Sequence, residues 1–157
     1  MRLIKFKTGA AKLLALVVFS TVFSSFSGNW GGDSFKIFID KKLVVQDYVS
    51  NSSGVKSFQV DASNASAQVD IYYSHCGQTG KSRNITIKDG ENHLLKQWNF
   101  SDASGSNTSM SCKVKDLLNL GKANGVSKLN LYYSSKELPN GRLLAAVLLN
   151  TDNKVTP

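Results

Sequence analysis

The stretch YYSHCGQTGKSR, residues 72 to 83, gathers a histidine, a cysteine, two glycines and basic residues into one short run. Three chemistries would use such a set: phosphate cradling, metal ligation and disulfide crosslinking. The phosphate loop needs G-x-x-x-x-G-K-[ST], so that successive backbone N–H groups wrap the phosphates and the lysine reaches them. Taking Gly80, Lys81 and Ser82 as its end puts its first glycine at position 75, which is His75. The glycine falls at Gly77, too late for a wrapping loop, and the residues that follow read as a strand rather than a helix.

A metal reading starts from His75, Cys76, Met110 and Cys112, since thiolate, thioether and imidazole together suit Cu(I). Alternation along a strand projects Met110 and Cys112 to one face, but adjacent His75 and Cys76 point to opposite faces if extended. The four match no recognised ligand spacing. The sequence therefore calls for no resident cofactor, with the copper or redox site kept as the alternative. A simpler expectation is that the two cysteines, Cys76 and Cys112, bond to each other, as pairs in exported chains do. Closing that loop restricts the unfolded chain by roughly 4 kcal/mol on the loop-entropy model.

Catalytic signatures are sparse. A serine hydrolase needs a base held by an acid beside its nucleophile, and His75 and His93 are the two histidines in the chain. His93 follows the turn residues DGEN and reads as an exposed hairpin position. Neither G-x-S-x-G nor H-E-x-x-H occurs, and the acidic residues fall mostly at turns, which argues against a carboxylate pair for glycoside hydrolysis. A small secreted hydrolase stays as a second alternative.

The elements that must carry these residues show period-two alternation far more than a helical period. Nine apolar runs rich in Val, Ile, Tyr and Phe, at 34–40, 43–49, 55–60, 67–73, 83–89, 93–100, 109–114, 128–134 and 142–150, are separated by Gly, Asn, Asp and Ser clusters. Eight to nine short strands at this spacing predict an all-β antiparallel sandwich. KDLLNLGKANG, 115 to 125, predicts one short helix with a glycine stop. Asp-Gly in KDGENH and Asn-Gly in LPNGR favour tight turns, which predicts hairpins over 82–100 and 127–149. The order Cys76, Trp98, Cys112 lacks the wide cysteine spacing of immunoglobulin domains.

Two strands echo each other: VDIYYSHCG (69–77) and LNLYYSSKE (129–137). Alternation turns one tyrosine of each pair inward and the other outward. Outward aromatics with Trp30 or Trp98 would make a stacking surface for a sugar ring or a peptide. The candidate ligand-binding residues are Tyr73, Lys81, Arg83, Trp98 and Tyr133.

The N-terminus carries Arg2, Lys5, Lys7 and Lys12, no acid, and then the apolar run LLALVVFSTVF. That is the pattern of a secretory signal peptide, and the apolar run is short of the roughly 20 residues a spanning helix needs. Ser25 and Ser27 supply small residues for cleavage near position 27. The expected organisation is a signal peptide at 1–27 and one domain at 28–157, with no transmembrane segment after its removal and a secreted or periplasmic location. Four of nineteen basic residues leave with the leader, so fifteen remain against eleven acids. No dense basic run is left, which argues against nucleic-acid binding. Five Asn-x-Ser/Thr triplets, at Asn51, Asn64, Asn84, Asn99 and Asn107, would accept glycans in a eukaryotic secretory route. The sequence as a whole points to a non-catalytic binding or accessory protein for a glycan, a peptide or a cell-surface ligand.

Overall fold

Alternating apolar residues become strands because one face of each can be buried between two sheets, and the computed structural model has that arrangement. It describes residues 32–49, 54–105 and 108–150. The signal peptide over 1–27 and Trp30 lie outside the described residues. The strands are β1 (Ser34–Ile39), β2 (Lys42–Tyr48), β3 (Lys56–Asp61), β4 (Gln68–Ser74), β5 (Arg83–Lys88), β6 (Leu94–Phe100), β7 (Met110–Lys113), β8 (Lys128–Ser135) and β9 (Leu138–Asn150), with a helix α1 (Val114–Asn124) between β7 and β8. A four-stranded sheet has the order β2-β1-β4-β7 and a five-stranded sheet the order β3-β9-β8-β5-β6. Among the described residues, the all-β sandwich of nine strands with one short α-helix is as the periodicity requires. One pairing departs from the antiparallel rule: β3 runs parallel to β9.

Inward residues from both sheets make one core. Phe35 and Ile37 of β1, Val69, Ile71 and Tyr73 of β4, and Met110 and Cys112 of β7 meet Val60 of β3, Ile85 and Ile87 of β5, Leu129, Leu131 and Tyr133 of β8, and Val147 of β9. Helix α1 buries Val114, Leu117 and Gly121 at helical spacing, and its end is set by Gly125 at φ +64°. Gly121 sits where an added Cβ would run into Leu149 and the Val126 carbonyl, so only glycine lets the helix approach β9.

Two turn expectations are corrected. In the β5–β6 hairpin Gly90 has an ordinary φ, and the positive φ belongs to Asn92 at +74°. The reason is a longer loop organised by the Asp89 carboxylate, which accepts from the backbone N–H groups of Glu91 and His93. In the β8–β9 hairpin the chain reverses at Lys136–Glu137, and Asn140-Gly141 lies inside β9. Gly141, at φ +66°, stands at a register irregularity of the β8–β9 ladder rather than in the turn. The β1–β2 reversal, by contrast, uses Asp40 (φ 45°) and Lys41 (φ 68°) without any glycine.

Candidate functional site

Strand β4 and strand β8 lie in different sheets, and their inner faces carry the echoed sequence. Val69, Ile71, Tyr73 and His75 correspond to Leu129, Leu131, Tyr133 and Ser135, and all eight are buried. At the end of the two strands the apolar pairs give way to polar ones. Tyr73 stacks on Tyr133, and His75 Nε2 lies 3.0 Å from the Tyr133 hydroxyl and 3.2 Å from Ser135 Oγ.

Two further residues close the cluster. Asp33, just before β1, accepts at Oδ2 from the Tyr73 hydroxyl at 2.8 Å, and that oxygen lies 3.4 Å from His75 Nδ1. Its other oxygen accepts from the Cys76 backbone N–H at 3.2 Å. Arg142 arrives through the irregular β8–β9 ladder: an extra residue between Leu143 and Ala145 shifts the register, so Arg142 pairs with Tyr133. A bulge re-aims a side chain in this way. The Arg142 guanidinium then donates to the Tyr73 hydroxyl at 2.9 Å and stands 3.8 Å from Asp33. Burial, reinforced by the hydrogen bond to Asp33, pushes the Tyr73 hydroxyl far above its ordinary range. Burial also raises that of Tyr133, against a lowering by its hydrogen bond with Ser135.

Asp33, His75 and Ser135 are therefore linked in the acid–base–hydroxyl order of a serine hydrolase. The surroundings do not suit acyl transfer. Ser135 is 5 % and His75 7 % exposed, the Tyr133 hydroxyl is nearer to Nε2 than Ser135 is, and Ser135 Oγ accepts from the Leu138 backbone N–H at 3.2 Å. A nucleophile needs an approach path and a vacant neighbouring position for the reacting carbon. This hydroxyl has its polar neighbours inside the protein, and what the cluster does is fasten the two sheets.

The stretch 75–83 is tied down on all sides. Gly77 takes φ +71° in the turn closed by the His75–Gln78 bridge. Gly80 is a close approach: a Cβ there would lie 2.7 Å from the Tyr133 hydroxyl. The Lys81 N–H donates to Glu137, the Ser82 N–H to Asp102, and the Gly80 carbonyl accepts from Ala103. Arg83 is buried, with Nε donating to the Ser101 carbonyl and Nη1 to the Thr108 carbonyl at 2.8 and 2.7 Å. Burial lowers its pKa from the ordinary arginine value, partly offset by the field of Tyr133 and Asp102.

The expected disulfide is absent: Cys76 and Cys112 are both free. Cys112 stands opposite Val69 in the β4–β7 ladder, while Cys76 lies seven residues further along the chain from Val69, past the other end of β4. At about 3.3 Å per residue that separation is roughly 20 Å, against the limit of about 7 Å between bonded cysteines. The copper alternative meets the same obstacle. Met110 and Cys112 do share the inner face of β7, but His75 is held in the polar cluster and Cys76 points to solvent. Among the described residues no group of three His, Cys, Asp or Glu side chains could hold a metal ion.

Of the five residues expected to bind a ligand, Tyr73 and Tyr133 are the inward members of their pairs, and Tyr72 and Tyr132 are the more exposed ones. Arg83 is buried beside Gly80 and Lys81 is exposed on the loop next to it. Trp98 lies elsewhere, half-buried on the edge strand β6. Opposite Ile85 in the ladder, it faces inward with Lys96, which stands opposite Ile87. Beyond them is α1, and the groove between, about 350 Å³, is lined by Lys96, Trp98, Asp116, Asn119, Leu120 and Ala123. Asp33, Ser135 and Arg142 of the cluster, and Lys96, Asp116 and Asn119 of the groove, were not identifiable as site residues from spacing. The echo at 69–75 and 129–135 is the one signal that could have paired His75 with Ser135.

In comparisons with protein-family models and with curated proteins, the chain matches none.

Proposed function

We propose that the exported domain is a non-catalytic binding or accessory protein, secreted or periplasmic, that holds a glycan, peptide or surface ligand on one side of the sandwich. The observation that carries this reading is a contrast between two sets of polar residues. Those with hydrolytic potential, Asp33, His75 and Ser135, are turned inward and bonded to one another and to the backbone. The large aromatic that opens onto a groove, Trp98, has polar side chains across from it. Concave sites with a few convergent polar groups and apolar walls are where small ligands bind.

A glycan and peptide array probed with the mature protein tests this, in parallel with ester, peptide and glycoside hydrolysis assays on wild type and Ser135→Ala. Expected are retained ligands on the array and hydrolysis at the blank level for both proteins. Hydrolysis above the blank that disappears in Ser135→Ala overturns the reading in favour of the secreted hydrolase.

A further inference from the structure

The groove between β6 and α1 is walled by two independent stripes. On the helix, Asp116, Asn119, Leu120 and Ala123 recur at i, i+3, i+4 and i+7, on a different side from the buried Val114, Leu117 and Gly121. On this side Leu120 is half-buried, and Asp116, Asn119 and Ala123 are exposed to the groove. On the sheet, Trp98 and Lys96 alternate on the inner face of an edge strand, with the lysine ammonium 6.0 Å from the centre of the indole ring. An inward lysine on an edge strand discourages pairing with another chain, but that role does not call for the polar helix residues facing it.

Two of the polar side chains here have no hydrogen-bond partner among the described residues. Among the described residues, the side chains of Asp116 and Asn119 make no hydrogen bond, and Lys96 and Asp116 form no ion pair with each other. One cation and one anion on opposite walls largely cancel for a singly charged ligand, so the groove offers a ligand of either sign no net electrostatic attraction. A neutral ligand whose groups both donate and accept uses the whole set: Lys96 donates, Asp116 accepts, and Asn119 does both. A flat apolar face completes the match, since Trp98 offers a ring and Leu120 and Ala123 offer hydrocarbon.

We infer that this groove binds a neutral pyranose unit of a glycan chain, with one face of the sugar ring on Trp98 and its hydroxyls shared among Asp116, Asn119 and Lys96. The inference rests on the binding reading above and specifies its ligand. A volume of about 350 Å³ is at the lower end of the range for small-molecule sites, about 300–1,000 Å³. The groove suits a short stretch of an oligosaccharide held at modest affinity.

Calorimetric titration of the mature protein with maltohexaose, cellohexaose and chitohexaose, alongside hexagalacturonate and an acetylated, amidated peptide mixture, tests it. Expected is saturable binding of at least one neutral hexasaccharide, weakened roughly tenfold or more by Trp98→Ala, as for a buried aromatic anchor. Asn119→Ala and Asp116→Asn should each weaken it several-fold. These two exposed helix positions leave the core intact, so their effect is readable even if Trp98→Ala unfolds. Tighter binding of hexagalacturonate or of the peptides, lost in Trp98→Ala, overturns the neutral-sugar assignment and leaves the binding reading standing. Glycan binding indifferent to all three substitutions overturns the groove. No binding by any probe, together with hydrolysis that depends on Ser135, overturns the binding reading itself.

Discussion

Tyr73 and Tyr133 lie ring on ring, with centroids 4.1 Å apart and planes 17° apart, and each comes from a different sheet. The stack is the structural meaning of the repeated YYS. The equivalent residues of β4 and β8, from Val69 and Leu129 to His75 and Ser135, are all buried, and the last two pairs meet: Tyr73 on Tyr133 and His75 beside Ser135. Both hydroxyls point to the same end of the sandwich, where Asp33, His75 and Arg142 receive them.

Removing one hydroxyl of that cluster separates stacking from hydrogen bonding. Tyr133→Phe keeps the ring but leaves His75 Nε2 with Ser135 alone, and a lost buried hydrogen bond costs about 1–3 kcal/mol. Tyr133→Ala also opens a cavity in the core and should cost about 3–5 kcal/mol, the range for deleting a buried aromatic. Urea unfolding, with the two midpoints falling in that order at an unchanged m-value, checks both.

Gly80 is coupled to the same hydroxyl. An added methyl at Gly80 lies 2.7 Å from Tyr133 Oη and 3.2 Å from Arg83 Cδ, and both neighbours are held in place, so Gly80→Ala should destabilise by about 1–3 kcal/mol. In a Tyr133→Phe background the hydroxyl clash is gone and the penalty shrinks. A double-mutant cycle by chemical denaturation measures the difference.

The thiols should behave as two distinct populations. Cys76 is exposed, whereas burial, with smaller contributions from Asp116 and Asp70, pushes the Cys112 thiol up to about 12. Since the thiolate is the reactive form, one thiol per chain should react promptly with a disulfide reagent at neutral pH, and the second only in denaturant. Two fast thiols, or none before reduction, would contradict the geometry.

On the β5–β6 loop, His93 Nδ1 lies 2.9 Å from Asp89 Oδ2, and this hydrogen bond, followed by the charge of the same carboxylate, raises the His93 pKa. Because the folded value lies above the unfolded one, the pair's small stabilisation is fully present below about pH 6.5 and disappears as pH rises through the folded pKa. His93 is exposed, so screening keeps the effect slight. Proton NMR should place its titration above that of a model histidine in wild type and return it towards 6.5 in Asp89→Asn.

The sandwich was legible because each of its strands buries one face, and alternation reports that directly. Strand β6 was found with the rest although no side chain on it is fully buried, because its turn residues and aromatic content marked it. Turn detail was less legible. Gly141 favours a positive φ, but whether that serves a turn or a bulge depends on where β8 and β9 come into register, a tertiary matter. The disulfide expectation failed for a similar reason: the cysteine count said nothing of Cys112 pairing near the opposite end of β4 from Cys76. Alternation implied one inward tyrosine in each YY pair, yet the phase that makes it Tyr73 and Tyr133 is set by which face meets the other sheet. Trp98 was identified as an aromatic of interest, but Asp116 and Asn119 join it only because α1 folds back beside β6.

On the proposed function, ligand is held at Trp98 while the Asp33–His75–Ser135 cluster stays closed. The most direct measurement is the amide and indole NMR spectrum of the protein during titration with the hexasaccharide that binds most tightly. The indole N–H of Trp98 and the side-chain amide of Asn119 should shift together and saturate, with the ring signals of His75 and Tyr133 unmoved. A saturable titration that shifts His75 and Tyr133 and leaves the Trp98 indole in place would contradict it.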